Sequence, residues 1–312
     1  MGGLMTRRSF LVGAAVAAMA GVLSAAGCAS GAGDGSGSSG AEGDERTSGE
    51  AAAADEAAAA DPAPATSSSD PFSTGSETYR GFTLDNVLRD PELGDIHFNL
   101  HVPDGYDPAG APAGLFVTLP GYQGLYFQGV GTNLRTEDFG FFAQDWDPDL
   151  VVCAPQLEDW GETSARKTVA LVECLTGVYA IDPERVLLEG YSGGGETLSL
   201  VMGMRPELFC RALFCSSQWD GDLRAVAAAR VPVYLVVGED DEYYGSGPAR
   251  EAADELRGLY RDAGLPRSEI DRLVTLDVKD AAYFEAGGVT NQHGGGGALF
   301  ARDDAVMGWL FA

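Results

Sequence analysis

The sequence predicts an α/β domain, a mostly parallel twisted sheet with helices on both faces, and three observations carry the prediction. Short runs rich in Val and Leu recur along the chain, among them Leu115–Leu119, Leu150–Ala154 and Arg185–Glu189. Each is closed by Gly or Pro, and their continuity fits strands buried on both faces. Between the runs lie stretches with apolar residues at helical spacing, such as Val169, Val172, Leu175 and Val178. Strand and helix in alternation imply parallel pairing through crossovers. No internal repeat is present, and residues 76–312 make one domain's length of chain.

The elements follow in order. Gly94–Val102 alternates with period two and ends at Pro103, the pattern of an early antiparallel strand. Leu115–Leu119 and Leu150–Ala154 are central strands. Residues 163–179 form a helix, with Thr163 or Ser164 as its cap. Arg185–Glu189 is the third buried strand, and Glu196–Met204 is the helix just beyond it. Ala212–Cys215 is a strand, Leu223–Ala229 a short helix, Val231–Val237 a strand and Pro248–Ala263 a helix. Leu273–Val278 is the last strand, and Leu299–Phe311 reads as one closing helix.

The first 75 residues read differently. Residues 1–27 combine Arg7-Arg8, Phe10-Leu11 and an apolar run up to Ala26, and resemble a twin-arginine export signal. Leu23-Ser24-Ala25-Ala26-Gly27-Cys28 resembles a lipobox, which implies acylation of Cys28. Residues 28–75 are mostly Gly, Ser, Ala and acids, a composition expected to be a disordered tether. The chain is thus expected to be exported and anchored by lipid to the outer face of the cytoplasmic membrane, or else simply secreted.

Chemistry concentrates at Gly190-Tyr191-Ser192-Gly193-Gly194. A strand enters this G-x-S-x-G and a helix leaves it, the setting of a nucleophile elbow. The serine needs a strained backbone there, and the glycines let strand and helix approach. The Gly193 N–H opens the helix beside Ser192 and is placed to stabilise an oxyanion. A serine nucleophile needs a base, and the chain has three histidines. His97 and His101 share one face of the early strand. His293 lies late, in Asn291-Gln292-His293 followed by four glycines, in a loop able to pass close to the elbow. An orienting acid is supplied by Glu239-Asp240-Asp241-Glu242, where the residues alone leave the choice open.

Ile181-Asp182-Pro183-Glu184-Arg185-Val186, the elbow, Gly238-x-x-Asp241 and His293 together resemble the prolyl oligopeptidase and dienelactone hydrolase branch of the α/β-hydrolases. The resemblance covers about residues 94–312. Polyhydroxybutyrate depolymerases and feruloyl esterases share the Ile-Asp-Pro phrase. It implies the α/β-hydrolase fold and a Ser192–His293–acid triad in the order Ser, Asp, His. The G-x-x-D turn selects Asp241, with Asp240 second and the other acids facing water. It also implies a second oxyanion donor after the first central strand, the Tyr122 N–H, although Pro120 stands where that loop often has His. The N-terminal region given is too short and too polar for the propeller of true prolyl oligopeptidases, so a peptidase ancestry is not expected to mean peptidase activity.

Trp160, Trp219 and Tyr122 are expected to line the substrate pocket, with Tyr126, Tyr243 and Tyr244 near the catalytic loops. The expected reaction is hydrolysis outside the cell, through an acyl-enzyme, of a carboxylic ester: a plant aryl-sugar ester, an acetylated glycan or a short acyl ester. A serine peptidase is the alternative, and a catalytically inactive ligand-binding surface lipoprotein the second. No cofactor and no metal site are expected. The formal net charge of −27 argues against nucleic acid and anionic surfaces as partners, leaving membrane contact to the lipidated N-terminus. Cys153, Cys174, Cys210 and Cys215 lack metal spacing, and three of them follow apolar residues, so free thiols are expected.

Overall fold

The computed structural model describes residues 71–312 apart from Glu137. The expected signal of residues 1–27, the lipidation site at Cys28 and the tether up to residue 70 lie outside the described residues. The chain begins with β1 (Phe72–Ser73), β2 (Glu77–Tyr79), β3 (Phe82–Asp90), β4 (Gly94–His101) and β5 (Ala113–Leu119). Then come α1 (Asn133–Thr136), α2 (Phe139–Trp146), β6 (Leu150–Pro155), α3 (Glu162–Val178), β7 (Ile181–Tyr191), α4 (Gly193–Met204) and β8 (Arg211–Cys215). It continues through α5 (Leu223–Ala229), β9 (Val233–Gly238), α6 (Gly247–Asp262), α7 (Arg267–Leu273) and β10 (Val274–Lys279). It closes with α8 (Ala281–Ala286), α9 (Gln292–Phe300) and α10 (Asp304–Leu310).

One ten-stranded sheet runs in the order β1-β3-β4-β6-β5-β7-β8-β9-β10, with β2 paired to β3. The strands from β6 to β10 pair in parallel, and β1 to β4 add an antiparallel edge. Every residue of β5, β6 and β9 is buried, as their continuous apolar runs require. Alternate residues feed opposite faces. Leu115, Val117 and Leu119 pack with α3, α4, α5 and α6, whereas Phe116 packs with α2 and α10. Order reverses at β5, whose next strand β6 lies on one side while β7 lies on the other. Such a switch point opens a crevice at the carboxyl ends of the strands, here β5 and β7.

Two expectations are corrected. The sheet starts inside the segment assigned to the tether: Phe72 is buried and meets the Phe98 ring edge-on at 5.1 Å. The single closing helix is instead two, α9 and α10, because the Asp303 side chain accepts from the Ala305 and Val306 N–H groups and starts α10 afresh. Cys153 is a buried free thiol, Cys174 and Cys210 are half-buried ones, and Cys215 is buried. Burial pushes the Cys153 thiol well up, which keeps it protonated. Among the described residues, no helix is long and apolar enough to cross a membrane, and no group of three or more His, Cys, Asp or Glu is placed to hold a metal ion.

Candidate active site

Ser192 is the single residue between β7 and α4. Its φ of 54° and ψ of −123° lie in a region where a side chain is strained. Its surroundings hold it there. The Ser192 N–H donates to the Cys215 carbonyl of β8 at 3.0 Å, and the Ser217 hydroxyl donates to the Ser192 carbonyl at 2.6 Å. The glycines are needed for close approach. A Cβ at Gly190 would lie 2.5 Å from the Gly194 carbonyl oxygen, and one at Gly194 would lie 2.2 Å from that of Leu119. At Gly193 the obstacle is aromatic: a Cβ would lie 2.3 Å from Cδ1 and Nε1 of Trp160.

His293 and Asp241 both come together at Ser192, His293 by way of an unexpected element. His293 Nε2 is 3.0 Å from Ser192 Oγ. Its Nδ1 is 2.9 Å from Asp241 Oδ2 and 3.1 Å from Oδ1. An ionised carboxylate accepts only, so the Asp241 contact places the imidazole proton on Nδ1 and leaves the Nε2 lone pair facing the serine. His293 is not in a loop, however. It is the second residue of α9, and the glycine run is helical. The glycines let that helix sit tightly: a Cβ at Gly297 would lie 3.2 Å from the Tyr191 ring, and one at Gly295 would lie 2.4 Å from Val289. The Tyr191 hydroxyl donates to the His293 carbonyl, tying α9 to the elbow strand.

Asp241 lies after β9, with no solvent exposure of its side chain. Burial alone pushes its carboxyl up, but the His293 hydrogen bond and charge, with N–H donation from Tyr244 and Tyr243, outweigh this and hold it low. Asp240 is exposed, and its backbone N–H donates to Gln292 Oε1 at 2.9 Å. Glu242 does more than face water. Its carboxylate accepts the N–H of Gln292 at 3.1 Å and of His293 at 2.9 Å, capping the first turn of α9 from across the site. Sequence reasoning missed this clamp, because only the fold brings residues 242 and 293 together. Glu242→Ala is expected to lower kcat roughly three- to tenfold with KM changed less, the size of a lost helix cap. Steady-state kinetics on any cleaved substrate checks this, and an unchanged kcat would remove Glu242 from the positioning of His293.

Gly193 begins α4, and Tyr122 begins a 3-10 turn, Tyr122–Gly124, after β5. A first helical N–H has no acceptor within its own helix, so both are open donors at the carboxyl edges of neighbouring strands. The Tyr122 ring is 59% exposed and 5.6 Å from that of Trp160, so these two form one wall above the elbow. The Trp160 Nε1 is buried without a partner among the described residues. Trp219 instead tilts against Phe214 at 5.3 Å and packs on the main core. His97 lies against Asp85 at 2.7 Å and stacks on Tyr126 at 4.1 Å. His101 approaches the Gly81 carbonyl at 3.0 Å. Neither joins Ser192. The rings of Tyr243, Tyr244 and Tyr191 surround His293 at 5.2, 5.5 and 5.8 Å.

No protein-family model matches the chain, and no curated protein matches it by sequence. Solved structures do match. A thermostable esterase superposes with a TM-score of 0.59 at 22% identity over 74% of this chain, which spans 62% of that enzyme. S-formylglutathione hydrolase from Staphylococcus aureus superposes with a TM-score of 0.50 at 14% identity, covering 76% of this chain and 100% of that one. The parallel sheet, the strained serine between β7 and α4 and these likenesses agree: the domain has the α/β-hydrolase fold.

Proposed function

We propose that the protein is a serine hydrolase that cleaves a carboxylic ester through an acyl-enzyme. The observation that carries the reading is the continuous hydrogen-bonded series Ser192 Oγ, His293 Nε2, His293 Nδ1 and Asp241, with steps of 3.0 and 2.9 Å. In acylation the Ser192 proton passes to Nε2 while Oγ bonds to the ester carbonyl carbon. The carbonyl oxygen gains negative charge between the N–H groups of Gly193 and Tyr122. Asp241 stabilises the imidazolium. Collapse of the tetrahedral intermediate breaks the bond to the alcohol oxygen, which takes the proton from Nε2. A water molecule then gives a proton to Nε2 and attacks the acyl carbon. Ser192 leaves, recovers that proton, and the carboxylic acid is released.

The wall of Trp160 and Tyr122 offers apolar surface to an acyl group. The test is a panel of p-nitrophenyl acyl esters, feruloyl esters, acetylated xylan and dipeptide anilides. Ester turnover with little anilide cleavage is the expected result. Rapid anilide cleavage without ester turnover would replace the reading with a serine peptidase.

A further inference from the structure

We propose that Tyr244, oriented by Glu196, is a hydrogen-bond acceptor on the leaving-group side of Ser192 and selects esters whose alcohol carries a hydroxyl next to the scissile oxygen. The inference rests on the ester reading above and names a residue and a substrate feature that the triad does not supply.

Glu196 lies in the first turn of α4, three residues after Gly193 and so on the same helix face. It is half-buried beside the nucleophile rather than out on the surface. The Tyr244 hydroxyl donates to Glu196 Oε1 at 2.6 Å. The Tyr244 backbone is fixed as well, since its N–H donates to Asp241 Oδ1 at 2.9 Å. The Tyr244 ring stands edge-on to the His293 imidazole at 5.5 Å, and its partner Glu196 lies four residues after Ser192, in the first turn of α4. Tyr244 therefore stands beside the imidazole that takes the serine proton, with its hydroxyl directed to the helix turn that follows the nucleophile.

A phenol has one proton to give. The Glu196 carboxylate takes it, so the remaining lone pairs of the Tyr244 oxygen face the site as acceptors. Burial, followed by the Glu196 hydrogen bond, pushes the Tyr244 phenol far above its ordinary range, which keeps it neutral. The leaving oxygen must lie near His293 Nε2, from which it takes its proton, and is bonded to the carbon that Ser192 Oγ attacks. The Tyr244 phenol, beside His293 and tied to the first turn after Ser192, borders that space. A hydroxyl one carbon further along the alcohol can donate to it. An alkyl alcohol offers a methyl group there and leaves the acceptor unmatched, which a site built for a hydrogen bond discriminates against.

The test compares kcat/KM for 2-hydroxyethyl butyrate and propyl butyrate, a pair differing by a hydroxyl in place of a methyl, each normalised to its alkaline hydrolysis rate. The wild type is expected to prefer the hydroxyethyl ester about tenfold, and Tyr244→Phe to bring that ratio near one. A general loss of structure would lower both rates and leave the ratio alone. Glu196→Gln, a neutral acceptor of the same shape, is expected to reduce the ratio at least about threefold, and it carries the test should Tyr244→Phe fail to fold. A wild type that cleaves both esters without preference, or a Tyr244→Phe variant that keeps the preference, overturns this inference alone. A wild type that cleaves neither ester removes the ester reading and this inference with it.

Discussion

Ser192→Ala is expected to lower kcat by roughly four to six orders of magnitude while leaving the fold intact, the size of the loss when a triad nucleophile is removed. The residue is held at φ 54° by backbone bonds to Cys215 and Ser217, none of which uses its own hydroxyl. Alanine keeps the Cβ and hence the same strain, so thermal melting should move by only a few degrees. What disappears is the oxygen 3.0 Å from His293 Nε2. The residual rate comes from the Gly193 and Tyr122 N–H groups acting on bound substrate with water as nucleophile. A fluorophosphonate probe gives a readout that needs no knowledge of the substrate. Wild type should take one label on Ser192, and the variant none. Folded wild type that takes no label would leave a ligand-binding protein with an inactive triad.

Ser192 and His293 stand out in the sequence because their signals are local. The elbow announces itself by a serine among glycines between an apolar run and a helix, and the structure explains each glycine by the atom a Cβ would strike. The central strands were legible because both of their faces are buried. The antiparallel edge was harder. In β3 burial alternates without a break from Phe82 to Leu88, but one of the core positions holds Asn86, so the apolar period-two pattern is interrupted there. A run of four glycines points to a loop, because glycine is a poor helix former, yet His293 and those glycines lie in a helix. It forms because Glu242 and Asn291 cap it and because only glycine lets it press against Tyr191. Both are tertiary causes, and a sequence window contains neither. Glu196 and Tyr244 are 48 residues apart and were joined only by the fold.

Asp241→Asn is expected to lower kcat by about four orders of magnitude, and Asp240→Asn by less than about twofold. The difference follows from how Asp241 is held. Its Oδ1 accepts the N–H groups of Tyr243 at 3.0 Å and Tyr244 at 2.9 Å, while Oδ2 faces His293 Nδ1 at 2.9 Å. An asparagine must keep its oxygen on the two backbone donors. Its amide NH2 then faces Nδ1, and the imidazole can meet it only by carrying its proton on Nε2, toward Ser192. The base is thereby blocked with its geometry unchanged, so KM should move little. A second measurement follows from the carboxyl, which is held below its ordinary range in the folded protein. A depressed carboxyl contributes stability above the unfolded value of about 3.9, and that stability is lost as pH falls through the folded value. The melting temperature of wild type should therefore exceed that of Asp241→Asn near neutrality, with the gap closing below about pH 4. Asp240 has none of these contacts through its side chain: it is exposed, and only its backbone N–H reaches Gln292. A large loss in Asp240→Asn with an active Asp241→Asn would reverse the assignment of the triad acid.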